Sequence, residues 1–296
     1  KTVMMGHKRL VEIMDEKDVN INWFPGHMKV ALDEIKRVLP LVDVVILVGD
    51  ARAPYSSINK TIDKLVKDKK KILVFSKLDL ADEKKLLKMK PSEGYEVNFC
   101  NFKDRNEVSK FKRYLESFES SKAKKYARFN LAKPALRALI VGIPNVGKST
   151  LINSLVGKNK ASVANTPGHT KAKQLVKVGS SLELFDTPGI MQPNYDSKVA
   201  ITHLAWLGSI KDDILPMDYL TSSLADFMLN NYREEVKNRF DLDDEIDVEN
   251  IFVKIAESRK YLLQKGELDI KRAQLTFLKE FREGKIAKVV VDDVLA

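Results

Sequence analysis

The sequence predicts an α/β domain on a largely parallel sheet, followed by a small all-α domain. Three observations predict it. Short β-branched runs alternate with helix-compatible stretches; a G-x-x-x-x-G-K-S pattern sits between one such run and a helical stretch; and from Ser197 onward apolar residues recur at three and four. The expected division is 1–195 for the α/β domain, with an extension over 1–21, and 196–296 for the helical domain.

The elements follow in order. Leu10, Val11 and Met14 give the extension the spacing of an amphipathic helix. Residues 43–48, 71–75 and 95–100 read as strands of parallel βαβ units. A Lys- and Ser-rich stretch, 120–133, ends at Pro134 and reads as a connector. Residues 138–141, 174–178 and 182–185 form a second set of strands, with a helix expected over 150–155. Leu204, Leu207 and Ile210, then Leu275, Leu278 and Phe281, mark the helical half.

Of 296 residues, 44% are apolar and 31% charged, which excludes a wholly disordered chain. The apolar runs fall far short of the roughly 18 residues of a membrane span, so no membrane association is expected. Glu12, Asp15, Glu16 and Asp18 interrupt the first segment before any apolar signal-peptide core forms. Cys100 is the single cysteine, which excludes an internal disulfide and a multi-cysteine zinc site and suits a reducing compartment. Residues 1–195 carry 36 basic and 21 acidic side chains, against 15 and 20 in the remainder. Such asymmetry favours a polyanionic partner, nucleic acid foremost, beside the plainer reading of solubility.

Gly142-Ile-Pro-Asn-Val-Gly147-Lys148-Ser149 lies between an expected strand and an expected helix, the context a phosphate-binding loop requires. Its backbone N–H groups, those of Asn145, Val146 and Gly147 into Thr150, are expected to face phosphate oxygens. Lys148 is expected to reach the β and γ phosphates and the Ser149 hydroxyl to ligate magnesium. Asp186-Thr-Pro-Gly189 ends a strand, where Asp186 can hold magnesium through water and the Gly189 N–H can meet a γ-phosphate. Thr166-Pro-Gly-His-Thr170 lies between them; Thr170 is the candidate to complete the magnesium shell, with an ordinary turn as the alternative.

Base choice rests on Ser76-Lys77-Leu78-Asp79. A carboxylate at Asp79 accepts both N1–H and the exocyclic amine of guanine, a pair adenine lacks, while the Lys77 stem can cover the ring. The nucleotide expected is GTP or GDP. In ordinary GTPases the phosphate loop precedes the guanine-reading motif; here it follows by more than sixty residues. The predicted fold is therefore a circularly permuted P-loop GTPase domain followed by a small all-α domain.

Together with Asn22-Trp-Phe-Pro-Gly-His-Met28, Asp50-Ala-Arg-Ala-Pro54, Leu204-Ala-Trp-Leu-Gly-Ser-Ile-Lys211, Gly266-Glu-Leu-Asp269 and Phe281-Arg-Glu-Gly-Lys285, this order resembles the RbgA/YlqF family of bacterial ribosome-assembly GTPases. The resemblance runs from about Asn22 to the last helices. It implies a cytoplasmic GTPase acting late in maturation of the large (50S) ribosomal subunit, its partners the subunit precursor and its rRNA. The expected state is a monomer. A GTP-regulated RNA- or ribosome-binding module with negligible hydrolysis is the alternative. Ser76 stands where the family has Asn, implying loss of one hydrogen bond between base pocket and phosphate loop. The family's second base-contact loop falls within Cys100-Asn101-Phe102.

Ras-like enzymes place a water-orienting glutamine after the DxxG glycine, whereas Ile190 follows Gly189 here. Hydrolysis would then be slow or need a group from elsewhere. His27, in the family's characteristic turn, is the candidate, with a packing role as the alternative. Asn145 offers a hard neutral oxygen that, with nucleotide phosphates, can hold potassium where other GTPases receive an arginine finger; the alternative is that it shapes the loop. Potassium and the ribosomal particle are thus the expected stimulants.

Overall fold

The computed structural model describes residues 25–89, 94–157, 163–164, 175–191, 198–264 and 266–293, apart from the side chains of Pro25, His27, Val163 and Ala164. They form two compact units: 25–191 with 290–293, and 198–289. The last residues thus belong with the sheet, whereas the sequence placed all of 196–296 in the helical domain.

Strands β1 (Val44–Asp50), β2 (Lys70–Ser76), β3 (Glu96–Phe99), β4 (Leu136–Val141), β5 (Val163–Ala164), β6 (Leu175–Val178) and β7 (Leu182–Asp186) make one sheet. Its order is β3-β2-β1-β4-β7-β6-β5. The first five are parallel, while β6 runs antiparallel to β7 and β5 antiparallel to β6. β1 is buried along its whole length, which suits its uninterrupted apolar run.

Among the described residues, six helices accompany the sheet: α1 (Pro25–Val38), α2 (Lys60–Leu65), α3 (Glu83–Leu86), α4 (Arg105–Glu116), α5 (Ala123–Arg128) and α6 (Lys148–Val156). Ile35 and Val38 of α1 and Ile62 of α2 share a core cluster with Val45, Leu47, Leu73, Phe75, Leu139 and Val141. The alternate positions along each strand are the reason one face gathers there.

Three strands run past their expected ends, β1 to Asp50, β2 to Ser76 and β7 to Asp186, because each end keeps a partner: Asp50 opposite Ser76 and Ile140 opposite Asp186. The connector also holds structure. The Ser121 N–H and hydroxyl donate to Asp43 Oδ1 at 2.9 and 2.6 Å, and α5 follows. Since β2, β1, β4 and β7 are adjacent and parallel, the loops that follow them leave from one edge of the sheet. That edge is where ligands bind in such folds.

The helical unit holds α7 (Lys198–Trp206), α8 (Met217–Asn231), α9 (Arg233–Phe240), α10 (Ile251–Ser258) and α11 (Ile270–Arg282). Phe277 of α11 stacks on Phe240 and meets Phe252 edge-on. Gly208 ends α7 with φ +73°, its N–H and that of Ser209 donating to Ala205 O and Leu204 O. Arg282 donates to the carbonyls of Trp206 and Ala205 and pairs with Asp212. The Leu204–Lys211 motif is thus a helix ending that α11 locks. No helix among the described residues is long and apolar enough to cross a membrane.

Candidate nucleotide-binding site

The phosphate loop runs from the end of β4 into α6. Gly142 is required by close approach, since a Cβ there would strike Val48 O. Gly147 (φ +98°) and Asn145 (φ +60°) turn left-handed, and Val146 between them is fully buried. Ser149 and Thr150 are exposed at the first turn of α6. Lys148 is 8% exposed and folds back, its Nζ donating to Ile143 O at 2.8 Å and Gly142 O at 3.1 Å. Burial pushes its ammonium down to about 8, against the pull of Asp186.

Asp186 ends β7 beside this loop. Burial raises its carboxyl, with Lys148 opposing, and its Oδ1 is buried without a hydrogen-bond partner among the described residues. An unpaired buried carboxylate oxygen suits a hard cation such as magnesium. The Thr187 hydroxyl donates to Ile140 O at 2.7 Å and anchors the turn. Gly189 lies against the loop: a Cβ would come within 2.8 Å of Pro144 N and 3.0 Å of Lys148 Nζ. Ile190 is 2% exposed, its N–H on Gly142 O and its carbonyl accepting from Asn59 Nδ2 at 2.8 Å. Asn59 also caps α2 through Oδ1, so one side chain fixes both helix and switch.

The guanine motif leaves β2 two strands from the phosphate loop. The bond whose loss Ser76 implied is present: its hydroxyl donates to Val146 O at 2.5 Å, with Gly49 O at 3.0 Å. β2 brings the Ser76 Oγ close enough to the loop for serine to make the bond. Lys77 adopts φ +58° and spans from Asp50 Oδ2 (2.8 Å) to Asn145 O (2.9 Å). Asp79 follows in a short 3-10 turn, with Lys103 Nζ 3.7 Å from its carboxylate. Phe102 is buried, and it and Ser76 both lie 3.5 Å from where a Gly147 Cβ would stand. Asn101 is held by its N–H on Glu107 and its Oδ1 on the Lys103 N–H.

The description "50S ribosome-binding GTPase" belongs to the family model that matches residues 137–255. The chain is 37% identical over 281 residues to ribosome biogenesis GTPase A of Bacillus cereus, spanning 92% of this chain and 93% of that one. With the protein of that name from Thermotoga maritima it shares 33% over 273 residues, 91% of this chain and 93% of that one. This chain belongs to the ribosome biogenesis GTPase A family. In fold it is similar to GNP-bound YlqF from T. maritima (TM-score 0.57, 24% identity, 90% of this chain and 98% of that one). A GDP-bound YlqF structure gives 0.54 and 26%, over 87% and 97%. The fold is that of a circularly permuted GTPase.

The ribosome biogenesis GTPase A fold thus gathers Ser76, Lys77, Asp79, Asn101, Phe102, Asn145–Ser149, Asp186 and Gly189 around one end of the sheet. Thr170 lies outside the described residues, as does the side chain of His27. The helix that carries His27, α1, lines a cavity of about 360 Å³ through Met28, Val30, Ala31 and Glu34, opposite Pro188, Gly189 and Ile190. His203 packs on Trp206 within the helical unit, 5.2 Å between ring centroids.

Sequence reasoning quoted Asp50-Ala-Arg-Ala-Pro54 without giving it a role. Asp50 is fully buried, and Arg52 clasps it through Nε (3.0 Å) and Nη2 (2.9 Å). Burial raises the Asp50 carboxyl, but Arg52 and then Lys77 outweigh it and hold it well below the usual range. The available signal was two opposite charges, two apart, at the end of an apolar run over 44–49.

Proposed function

We propose that this protein hydrolyses GTP as a factor in late maturation of the large (50S) ribosomal subunit, binding rRNA of the precursor in its GTP state and leaving on hydrolysis. The observation that carries the reading is the tie between Ser76 and Val146, which joins guanine motif to phosphate loop. It occurs in a chain that spans nine tenths of relatives named ribosome biogenesis GTPase A. The basic balance of residues 1–195 suits an RNA partner. The setting proposed is cytoplasmic and the protein a monomer.

In this reading Asp79 accepts the guanine donors, and Lys77, Asn101 and Phe102 enclose the base. The N–H groups of Val146, Gly147 and Thr150 and the Lys148 ammonium hold phosphate oxygens. Ser149, Asp186 and Thr170 would hold magnesium, which would supply positive charge to offset the negative charge of the phosphates. The Gly189 N–H holds the γ-phosphate while water attacks the phosphorus and the bond to the β-phosphate oxygen breaks, giving GDP and phosphate. His27 orients that water, since Ile190 is apolar and pinned. Asn145 helps to hold potassium, so turnover is slow alone and rises with that ion and with the particle.

Buried Ile190 also favours a second reading, a GTP-regulated module with negligible hydrolysis. Co-sedimentation of the protein with separated subunits, loaded with GTP or GDP, tests the docking on which both rest. Binding to large subunits only with GTP, falling steeply with salt, is expected. Equal binding in both nucleotide states would sink the proposal.

A further inference from the structure

After the helical unit the chain returns to the sheet. Val290 is buried in the core cluster that holds Val45 and Phe75. The Val291 N–H donates to Arg52 O at 2.7 Å. Asp292, 8% exposed, accepts the N–H groups of Tyr55 (2.7 Å) and Ser56 (2.8 Å) on Oδ2, and the Ser56 hydroxyl (2.5 Å) on Oδ1. Charge-assisted bonds of this kind are shorter and stronger than neutral ones, so one carboxylate fixes the loop after β1.

That loop leads into the nucleotide site. Its Ser57 hydroxyl accepts from the Asp50 N–H at 2.9 Å, and the Ala53 N–H donates to Asp50 O at 2.9 Å. The Ala51 N–H donates to Ser76 O at 2.9 Å. Asp50 then holds Lys77, and Lys77 holds Asn145 O of the phosphate loop. Every step from Asp292 to the phosphate loop is therefore a hydrogen bond or a covalent turn within one packed unit.

We propose that Asp292 is a positioning residue of the nucleotide site, setting Asp50 and through it Lys77 and the phosphate-loop backbone. The segment that follows the helical unit thus supplies part of the support for nucleotide binding. This deepens the GTP reading and rests on it.

The test uses full-length protein and fluorescent GDP, well below the melting temperature of each variant. Asp292→Ala is expected to weaken GDP binding about tenfold, with KM for GTP rising alike and kcat at saturation unchanged. Lys77→Ala weakens binding by itself, and adding Asp292→Ala to it is expected to cost less than about twofold more, because the two act in series. Should Asp292→Ala fail to fold, Ser56→Ala, which removes one of the three bonds, decides with an expected loss of about threefold. Unchanged affinity in the variant measured overturns the proposal, as does an equal loss with and without Lys77. A parent that binds no guanine nucleotide overturns the functional reading and this inference with it; a tightly binding parent beside an unaffected variant overturns this inference alone.

Discussion

The Ser76 hydroxyl and the Val146 carbonyl oxygen stand 2.5 Å apart, joining two motifs 70 residues apart in sequence. Both residues are buried, at 1% and 0% exposure, so water cannot replace the bond. Ser76→Ala leaves a buried carbonyl without this donor, a cost of about 1–3 kcal/mol. A fall in guanine-nucleotide affinity of roughly tenfold is expected by isothermal titration. Unchanged affinity would mean that the phosphate loop holds its shape without Ser76.

The sheet and its chemistry were legible in sequence to different degrees. Residues 43–48 and 71–75 announced strands because short apolar runs rich in β-branched residues have few other homes. The carboxylates at Asp50 and Asp186 were placed beyond their strands, since polarity reads locally as loop while pairing with Ser76 and Ile140 extends the ladder. The phosphate loop was legible because its glycines and lysine are fixed by backbone geometry and phosphate chemistry. The support given by Arg52, Asn59 and Asp292 was not, because each bonds to a residue brought near only by folding. The Ser76 bond was misjudged for the same reason: side-chain reach depends on where the strand ends.

Lys148 gives a pH signature. Its folded value, about 8, lies below the ordinary lysine value of 10.5, so the charged form in the fold costs stability throughout the range below pH 8. Between about 8 and 10.5 the unfolded chain binds the extra proton, and nucleotide-free stability rises with pH. Bound phosphate keeps the ammonium charged, so binding above pH 8 takes up a proton. Affinity should therefore fall as pH rises past 8, approaching about tenfold per unit. Lys148→Arg, which cannot lose its charge there, should flatten the slope. A flat parent profile between pH 7 and 9 would contradict the burial argument.

Asp79 reads the base in this account. Asp79→Asn should weaken GTP binding about a hundredfold, since one acceptor oxygen becomes an NH2 donor facing a guanine donor and the remaining bond loses its charge assistance, and should relax discrimination against xanthosine nucleotides. Competition between GTP and xanthosine triphosphate measures both. GTP bound as tightly as by the parent would remove this motif from base recognition.

The proposed function is that of a GTPase which the large ribosomal subunit and potassium bring to speed. Single-turnover hydrolysis of GTP, with and without purified large subunits and in potassium or sodium, tests it most directly. Arginine-finger-type charge stabilisation is worth on the order of 10³ to 10⁵ in rate, which leaves room for both stimulants. Turnover is expected to be slow alone, faster in potassium, and faster again on the particle. Asn145→Ala should abolish the potassium response, and His27→Ala should lower the stimulated rate about a hundredfold with affinity nearly intact. A rate that neither the subunit nor the cation moves would contradict the claim and leave the protein a GTP-regulated binding module.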